Sequence, residues 1–288
     1  MKTKNCLDST ARHSATTTHP AFTLESLFQD VDRIRLINPL IHNITNLVVM
    51  PTTANMLLAL GAAPIMAHAA EELDEIIQLA QALVINIGTL DKNWLACIAH
   101  AQLAALKRGI PIVLDPVGAG ASVYRTTSAL NIIKRGVTVI RGNASEIMAL
   151  LDTSISTKGV DSTQASDHAV VSARNLAQQY QCIVVVSGKI DFIVSATQTV
   201  VLDYGSPLLT KVVGMGCSLT AVIASFLTVN PNLFNAAVHA MAWMGLVSEV
   251  AEKKSKGPGS FYNHLLDSFY TLQKNELQSL FKPSCIAL

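Results

Sequence analysis

The sequence has little charge of either sign: 14% of its 288 residues are charged, and the formal net charge is +1. No basic cluster is present, and this argues against a nucleic-acid partner. The five cysteines are odd in number and show no Cys-x-x-Cys spacing, which argues against a disulfide framework or a structural zinc site. We therefore expect a reducing, cytoplasmic location.

Long uninterrupted apolar runs are also lacking, although half of the residues are hydrophobic. The longest apolar stretch, Met56–Ala70, is broken by a glycine, a proline and a histidine, whereas a membrane-spanning helix needs about 20 apolar residues. We therefore expect no membrane partner, and we attribute the apolar excess to buried parallel strands and a buried subunit interface. Residues 1–20 are rich in Thr, Ser and Lys and predict a disordered tail. Residues 21–288 are expected to form one domain.

Short apolar runs alternate with helical patterns along most of the chain. Buried strands are predicted at Ala82–Ile87, Ile110–Leu114, Val137–Ile140 and Ile183–Val186. Helices are predicted at Thr52–Leu60, Glu71–Gln81, Asn93–Lys107, Ser145–Leu151 and Gln164–Gln179. This alternation predicts an α/β fold with a mainly parallel central sheet and helices on both faces. The segment after Ile193 predicts a hairpin at one edge of the sheet, and Ser218–Leu272 is predicted to be helical.

Polar residues follow the predicted strands, at the edge of a parallel sheet where ligands usually bind. These strand-end residues are Asn46, Asp115, Arg141, Asn143, Glu146 and Ser187. We expect them to converge with the segment Gly214-Met215-Gly216-Cys217, which precedes a predicted helix. We assign Asn46 to the substrate side of this site.

The two glycines of that segment allow a ligand to approach the backbone closely, and the helix N-terminus that follows offers N–H donors to an anion. The alternative is a packing turn. Cys217 is expected to have a lowered thiol pKa at this helix start and to accept a proton from a substrate alcohol. A small buried hydrophobic side chain is the alternative for Cys217.

Two interpretations are open for the Asn-x-x-Glu pattern of Asn143 and Glu146. The pair could form a capping box at a helix start, or Glu146 could hold hydrated Mg²⁺ together with Asp115. Asp115 could instead be a turn residue before a proline. Arg141 is a candidate phosphate clamp because its guanidinium fork matches phosphate oxygens, and a surface salt bridge is its alternative.

Several segments occur in an order that resembles the hydroxyethylthiazole kinase family, from about Asn38 to Gly259. They are H-N-I-T-N, A-L-G-A-A-P-I-M, I-N-I-G-T-L, L-D-P-V-G-A-G, R-G-N-A-S-E-I, V-V-V-S-G, K-V-V-G-M-G-C and G-P-G-S-F. The resemblance implies a ribokinase-like three-layer sandwich without a separate lid domain. It also implies Mg²⁺ and ATP-dependent phosphorylation of the hydroxyl of 4-methyl-5-(2-hydroxyethyl)thiazole in thiamine salvage. A homotrimer with active sites between subunits is expected on the same basis.

The resemblance also assigns roles to individual residues. Met66 and Gly214 would bind the thiazole, and Cys217 would take the catalytic place where the wider superfamily carries aspartate. ATP and its phosphates would contact Arg141, Ser187, Asn143 and Gly216, and Asp115 and Glu146 would hold Mg²⁺ through water. Two positions depart from the usual pattern, because Met215 and Ser187 each stand where the family more often has threonine.

Two other classes of function are weighed against this resemblance. One is a related enzyme of the superfamily, either a pyrimidine-alcohol kinase or a nucleotide-dependent hydrate dehydratase. A kinase of that kind would be expected to carry aspartate in place of Cys217. The other is a non-catalytic small-ligand sensor, which predicts loss of the metal and phosphate groups that are present here.

Overall fold

The computed structural model describes residues 22–151, 162–282 and 285–287, so the predicted tail at residues 1–20 lies outside the described residues. The strands are β1 (Leu40–Ile44), β2 (Ala63–Ile65), β3 (Ala82–Asn86), β4 (Ile112–Asp115), β5 (Val139–Asn143), β6 (Ile183–Ser187), β7 (Asp191–Val194), β8 (Thr199–Leu202) and β9 (Cys285–Ala287). The α-helices are α1 (Leu24–Ile37), α2 (Met50–Leu60), α3 (Leu73–Leu79), α4 (Lys92–Arg108), α5 (Val123–Arg135), α6 (Ala144–Leu151), α7 (Ser162–Tyr180), α8 (Met215–Leu227), α9 (Leu233–Lys254), α10 (Pro258–Thr271) and α11 (Lys274–Leu277). A 3-10 helix spans Pro207–Lys211.

One sheet contains all nine strands, in the order β2-β1-β3-β4-β5-β6-β7-β8-β9. Neighbouring strands from β2 to β6 pair in parallel, and β6 to β9 pair antiparallel. The predicted parallel sheet and the predicted hairpin (β7 and β8) are therefore confirmed. The hairpin was wrongly placed at the sheet edge, because β9 pairs outside β8 with Val200 opposite Ile286. A three-residue strand is too short to produce a periodic signal.

Side chains of the central strands alternate between two buried clusters, one on each face of the sheet. In β3, Val84 packs in a cluster with side chains of α1, α2, α8, α9 and α10. Leu83 and Ile85 pack on the opposite face with side chains of α3 to α7. This arrangement is the predicted three-layer sandwich in a single α/β domain.

Helix α5 connects β4 to β5 and was not predicted from the sequence. It begins where the Ser122 hydroxyl accepts a hydrogen bond from the amide of Arg125, the usual N-cap interaction. Its buried face includes Ala129, Ile132 and Ile133. This spacing is typical of an amphipathic helix, so the signal was present in the chain.

Helix α9 is the one described helix that is long and apolar enough to cross a bilayer by length and composition. Within the fold, 83% of its apolar window is buried, as expected for the core helix of a globular domain. Its buried His239 Nδ1 lies 2.6 Å from Asp30 Oδ2 of α1. This pair ties α1 to α9 on the face that also carries α8.

Candidate active site

Polar side chains from the ends of β1, β3 and β4 form one continuous hydrogen-bonded row. Asn46 Nδ2 donates to Asn86 Oδ1 over 2.8 Å, and Asn86 Nδ2 donates to Asp115 Oδ2 over 3.0 Å. The Thr220 hydroxyl of α8 donates to the same Asp115 oxygen over 2.8 Å. Because the strands are parallel, their carboxyl ends lie together, and the expected convergence of Asn46 and Asp115 is present.

Cys217 lies at this row, in the first turn of α8, where Asn46 Nδ2 is 3.5 Å from its sulfur. The expected fall in its thiol pKa is wrong. The pKa of Cys217 is raised to about 11, chiefly by burial and also by the negative charge of Asp115, against weaker lowering by hydrogen bonds from Asn86 and Asn46 and by the charge of Arg141. The cost of desolvating the thiolate outweighs the groups that stabilise it, so the thiol is protonated at neutral pH.

The two glycines before Cys217 are required for different reasons. Gly214 caps α8 with φ +84°, a left-handed conformation, and a Cβ there would lie 3.0 Å from Val49 Cγ1. Gly216 needs space instead, since a Cβ would lie 2.7 Å from Arg141 Nη1. Among the described residues, no side chain caps the N-terminus of α8. The Arg141 guanidinium lies beside this first turn.

Arg141 lies between Ser187 at the end of β6 and Asp115 at the end of β4. Its Nη2 donates to Ser187 Oγ over 2.5 Å, and its Nη1 lies 3.7 Å from Asp115 Oδ2. The side chain is only 12% exposed, which excludes the surface salt bridge. Its Nε is buried and has no hydrogen-bond partner among the described residues. A buried guanidinium with an unused donor fits an anion such as a phosphate.

Asp115 is buried among these groups, and burial raises its pKa to about 6. The nearby Glu146 carboxylate raises the pKa as well, whereas Arg141 and the hydrogen bonds from Thr220 and Asn86 lower it. The cost of burying the charge is therefore only partly offset by the cation and the two donors. An additional cation at this position would favour the ionised carboxylate.

Glu146 and Asn143 form the reciprocal contacts of a capping box at the start of α6. Asn143 Oδ1 accepts from the amide of Glu146 over 3.0 Å, and Glu146 Oε2 accepts from the amide of Asn143 over 2.9 Å. The other Glu146 oxygen accepts from the amide of Gly118 over 2.9 Å. The capping interpretation is therefore confirmed. The roles of Glu146 toward a metal and of Asn143 toward ATP stay predictions.

A cavity of about 670 Å³ opens beside Arg141. Its lining includes Arg141, Ser187, Asp191, Tyr204, Thr210, Met215, Gly216, Leu219, Met241 and Met244. One end is polar and carries the predicted phosphate contacts, and the methionines and Leu219 provide an apolar wall. Met215 is one of these wall residues and is 4% exposed, so its side chain packs against the core.

Met66 stays a predicted thiazole contact. It is half-buried and lies immediately after β2, the edge strand. Conversely, Asn86 and Thr220 contact Asp115 without having been predicted. Asn86 ends a buried strand, so the strand-end argument could have found it. Thr220 lies one helical turn after Gly216, inside a segment that shows only an apolar pattern.

The family model for the hydroxyethylthiazole kinase family matches residues 31–275. This chain belongs to the hydroxyethylthiazole kinase family. A protein named hydroxyethylthiazole kinase from Syntrophus aciditrophicus is 48% identical over 257 residues, which cover 88% of this chain and 95% of that relative. One of the same name from Leptospira biflexa is 44% identical over 88% of this chain and 96% of its own length.

Solved structures agree with membership of the hydroxyethylthiazole kinase family. The hydroxyethylthiazole kinase protein from Pyrococcus horikoshii has a TM-score of 0.82 and 40% identity, covering 91% of this chain and 98% of that one. The ADP/ATP-dependent NAD(P)H-hydrate dehydratase from Bacillus subtilis has a TM-score of 0.57 at 14% identity. The second likeness concerns the fold alone.

The contact between Gly216 and Arg141 gives a prediction for this hydroxyethylthiazole kinase family member. Gly216→Ala is expected to lower kcat by about 10²-fold, because the new methyl group would displace the guanidinium of Arg141, the predicted phosphate clamp. The melting temperature should change little, because the atoms that must move lie at the far end of the flexible Arg141 side chain. Steady-state kinetics and thermal unfolding measure both effects, and parallel losses of kcat and melting temperature would contradict the steric explanation.

Proposed function

We propose that this protein phosphorylates the hydroxyl of 4-methyl-5-(2-hydroxyethyl)thiazole with ATP, as a step of thiamine salvage in the cytoplasm. The observation that carries the proposal is the position of Arg141. One buried guanidinium contacts Ser187, lies against Asp115 and adjoins Gly216 at the start of α8. A group suited to phosphate, Arg141, and an acidic group, Asp115, therefore lie in one site with the segment that ends at Cys217. A phosphotransferase needs both kinds of group.

Binding of the transferred phosphoryl group is assigned to the N-terminus of α8 and to Arg141. The amides from Gly214 to Cys217 present the positive end of the helix dipole to an anion. Arg141 offsets the negative charge that develops on the phosphoryl oxygens. Ser187 would hold the guanidinium in place and contact ATP, and the adjoining cavity is large enough for a nucleotide.

Asp115 and Glu146 fit a hydrated Mg²⁺ ion, which takes one or two carboxylates together with waters and phosphate oxygens. Among the described residues, no three His, Cys, Asp or Glu side chains cluster as a metal cage. A dedicated all-protein site is not what Mg²⁺ requires, and the raised pKa of Asp115 marks a position that would accept a cation. When bound, Mg²⁺ would neutralise charge on the phosphates of ATP.

The substrate alcohol is assigned to the space beside Cys217, with Asn46 and Gly214 around it and Met66 as a further contact. A protonated thiol does not act as a strong base, so Cys217 orients the alcohol. Phosphoryl transfer through a loose transition state tolerates this, because positioning and charge stabilisation supply most of the rate.

Cys217→Ser is therefore expected to lower kcat by less than about 10²-fold, below the usual range for loss of a general base. The ratio of wild-type to variant kcat should stay constant from pH 6 to 9, because the thiol pKa of about 11 lies above this range. A pH series of kcat measures the ratio. A ratio that rises steadily with pH would show a thiolate base and contradict this prediction.

An ADP-release assay tests the function itself. The purified protein with ATP and Mg²⁺ is expected to release ADP when the thiazole alcohol is added, and much less with hydroxymethylpyrimidine as the control alcohol. ADP release that does not depend on the thiazole would overturn the proposed function. Preference for the pyrimidine alcohol would identify a related kinase instead.

The proposed assembly is a homotrimer with active sites between subunits. Leu47 and Val48 are each 62% exposed beside Asn46, and Val213 is 65% exposed beside Gly214. Three large apolar side chains at the alcohol side of the site fit burial by a neighbouring subunit. Light scattering should give three times the 30.8 kDa chain mass, and Val48→Asp should lower it. A monomeric mass at micromolar concentration would contradict the proposal.

A further inference from the structure

Two loops that follow central strands contact an amide and an acidic side chain of the site through their backbone amides. The loop after β3 contains Ile87 and Gly88, where the Gly88 amide donates to Asn86 Oδ1 over 2.9 Å. The loop after β4 contains Val117 and Gly118, where the Gly118 amide donates to Glu146 Oε1. The side chains of Asn86 and Glu146 are therefore oriented by the backbone of these loops.

Arg125, in the first turn of α5, connects the two loops. Its Nη1 donates to the carbonyls of Ile87 over 2.8 Å and Val117 over 2.9 Å, and its Nη2 donates to the carbonyl of Gly88 over 2.7 Å. A Cβ on Gly118, whose φ is +75°, would lie 3.1 Å from Arg125 Cδ. The half-buried guanidinium of Arg125 thus donates to two carbonyls of the loop after β3 and to one carbonyl of the loop after β4.

We propose that Arg125 is a positioning residue that sets the separation between the row of Asn86 and Asp115 and the Glu146 carboxylate. It contacts neither group. It holds the peptide units next to Asn86 and next to Gly118, and so both the amide row and the Glu146 oxygen keep their places. This inference rests on the proposed function, in which Asp115 and Glu146 act together on hydrated Mg²⁺.

The chemistry of the guanidinium explains why arginine is needed at this position. A planar fork donates to several carbonyls in fixed directions, whereas a lysine ammonium is a flexible point donor that cannot reproduce this geometry. Residues that orient metal-binding side chains typically change activity or metal affinity by about 10- to 100-fold when they are replaced. An effect in that range is expected for Arg125.

The test compares Arg125→Ala and Arg125→Lys with Arg135→Ala in the full-length protein. Arg135 lies at the other end of α5 and donates to Gln102 Oε1 over 3.1 Å, so its loss removes an arginine contact away from the site. Both Arg125 variants should lower kcat by about 10- to 100-fold and raise the Mg²⁺ concentration for half-maximal rate by about tenfold. Added guanidinium ion, below denaturing concentrations, should partly restore Arg125→Ala. Arg135→Ala should change neither quantity.

Amide hydrogen exchange supplies a measurement that does not depend on catalysis. Exchange at Gly88 and Gly118 should be faster in both Arg125 variants than in wild type and Arg135→Ala, without ATP, substrate or Mg²⁺. Unchanged exchange at both glycines would overturn the inference, even if the wild-type protein shows no thiazole-dependent activity. If the wild-type protein is active, a second outcome would also overturn the inference. In that outcome, the Arg125 variants lose no more kcat for a given loss of melting temperature than Arg135→Ala does.

Discussion

Replacing Arg141 with alanine is expected to lower kcat for thiazole phosphorylation by about 10³-fold, the lower end of what a transition-state arginine contributes to phosphoryl transfer. The expected loss is large because the guanidinium is buried and already held by Ser187, so its charge stabilises developing charge without reorganisation. The KM for the thiazole should change little, because Arg141 is proposed to contact the phosphates and not the thiazole. Steady-state kinetics with both substrates measure this split.

Two further arginine variants control this experiment. Arg141→Lys keeps the charge but loses the fork, and it should recover only part of the rate. Arg174→Ala removes a half-buried arginine that donates to Thr199 Oγ1 over 2.8 Å, away from the site, and kcat should be unaffected. A kcat within about tenfold of wild type for Arg141→Ala would remove this residue from the charge-stabilising role.

Asp115→Asn is expected to lower kcat by about 10²- to 10³-fold, as for other losses of a preorganised charge at a reacting centre. The variant keeps the side-chain shape and retains an oxygen that can accept from Thr220. The half-saturating Mg²⁺ concentration should rise, because one of the two proposed carboxylates is lost. Kinetics at varied Mg²⁺ test this directly, and an unchanged Mg²⁺ dependence would exclude Asp115 from the metal site.

The difference in stability between wild type and this variant, measured without Mg²⁺, should depend on pH. The folded-state pKa of Asp115 is raised from 3.8 to about 6, so the folded state binds more protons than the unfolded state between these values. Wild-type stability therefore falls as pH rises through this window. Asp115→Asn lacks this loss and should melt higher than wild type at pH 8, and the difference should shrink toward pH 4.

Asp30→Asn is the matched control for a buried carboxylate. Asp30 pairs with His239 and accepts a hydrogen bond from Asn230 between α1 and the start of α9, on elements that do not carry the row of Asn86 and Asp115. The control should lower the melting temperature without a specific change in kcat or Mg²⁺ dependence.

The comparison of wild type with Asp115→Asn has an outcome that would contradict the raised pKa of Asp115. That outcome is a higher melting temperature for wild type than for Asp115→Asn at pH 8.

Much of the fold could be predicted from local patterns. The predicted strand over 183–186 is part of β6, because a short continuous apolar run is typical of a strand buried on both faces. The predicted helix over 164–179 lies within α7. Helix α5 was missed although Ser122 caps it, and β9 is too short to leave a pattern. The strand ends also identified Asp115 and Arg141, since parallel strands deliver their carboxyl ends to one edge.

The chemical state of the site could not be predicted in this way. Cys217 at a helix start suggested a lowered pKa, but the thiol is desolvated and lies near the charge of Asp115. Glu146 allowed two interpretations, and the contacts of its two oxygens show the cap and a link to Gly118 that no spacing indicates. Arg125 carried no signal at all, because its three acceptors are backbone carbonyls.

The sequence by itself determined the mainly parallel sheet, the helices on both of its faces, the family and most of the polar residues at the strand ends. These depend on side-chain periodicity and on residue identity within short segments. Only the tertiary structure decided which of these residues meet and which are protonated. Desolvation and Coulomb interactions depend on distances in space, and here they join groups such as Thr220 and Asp115 that are 105 positions apart.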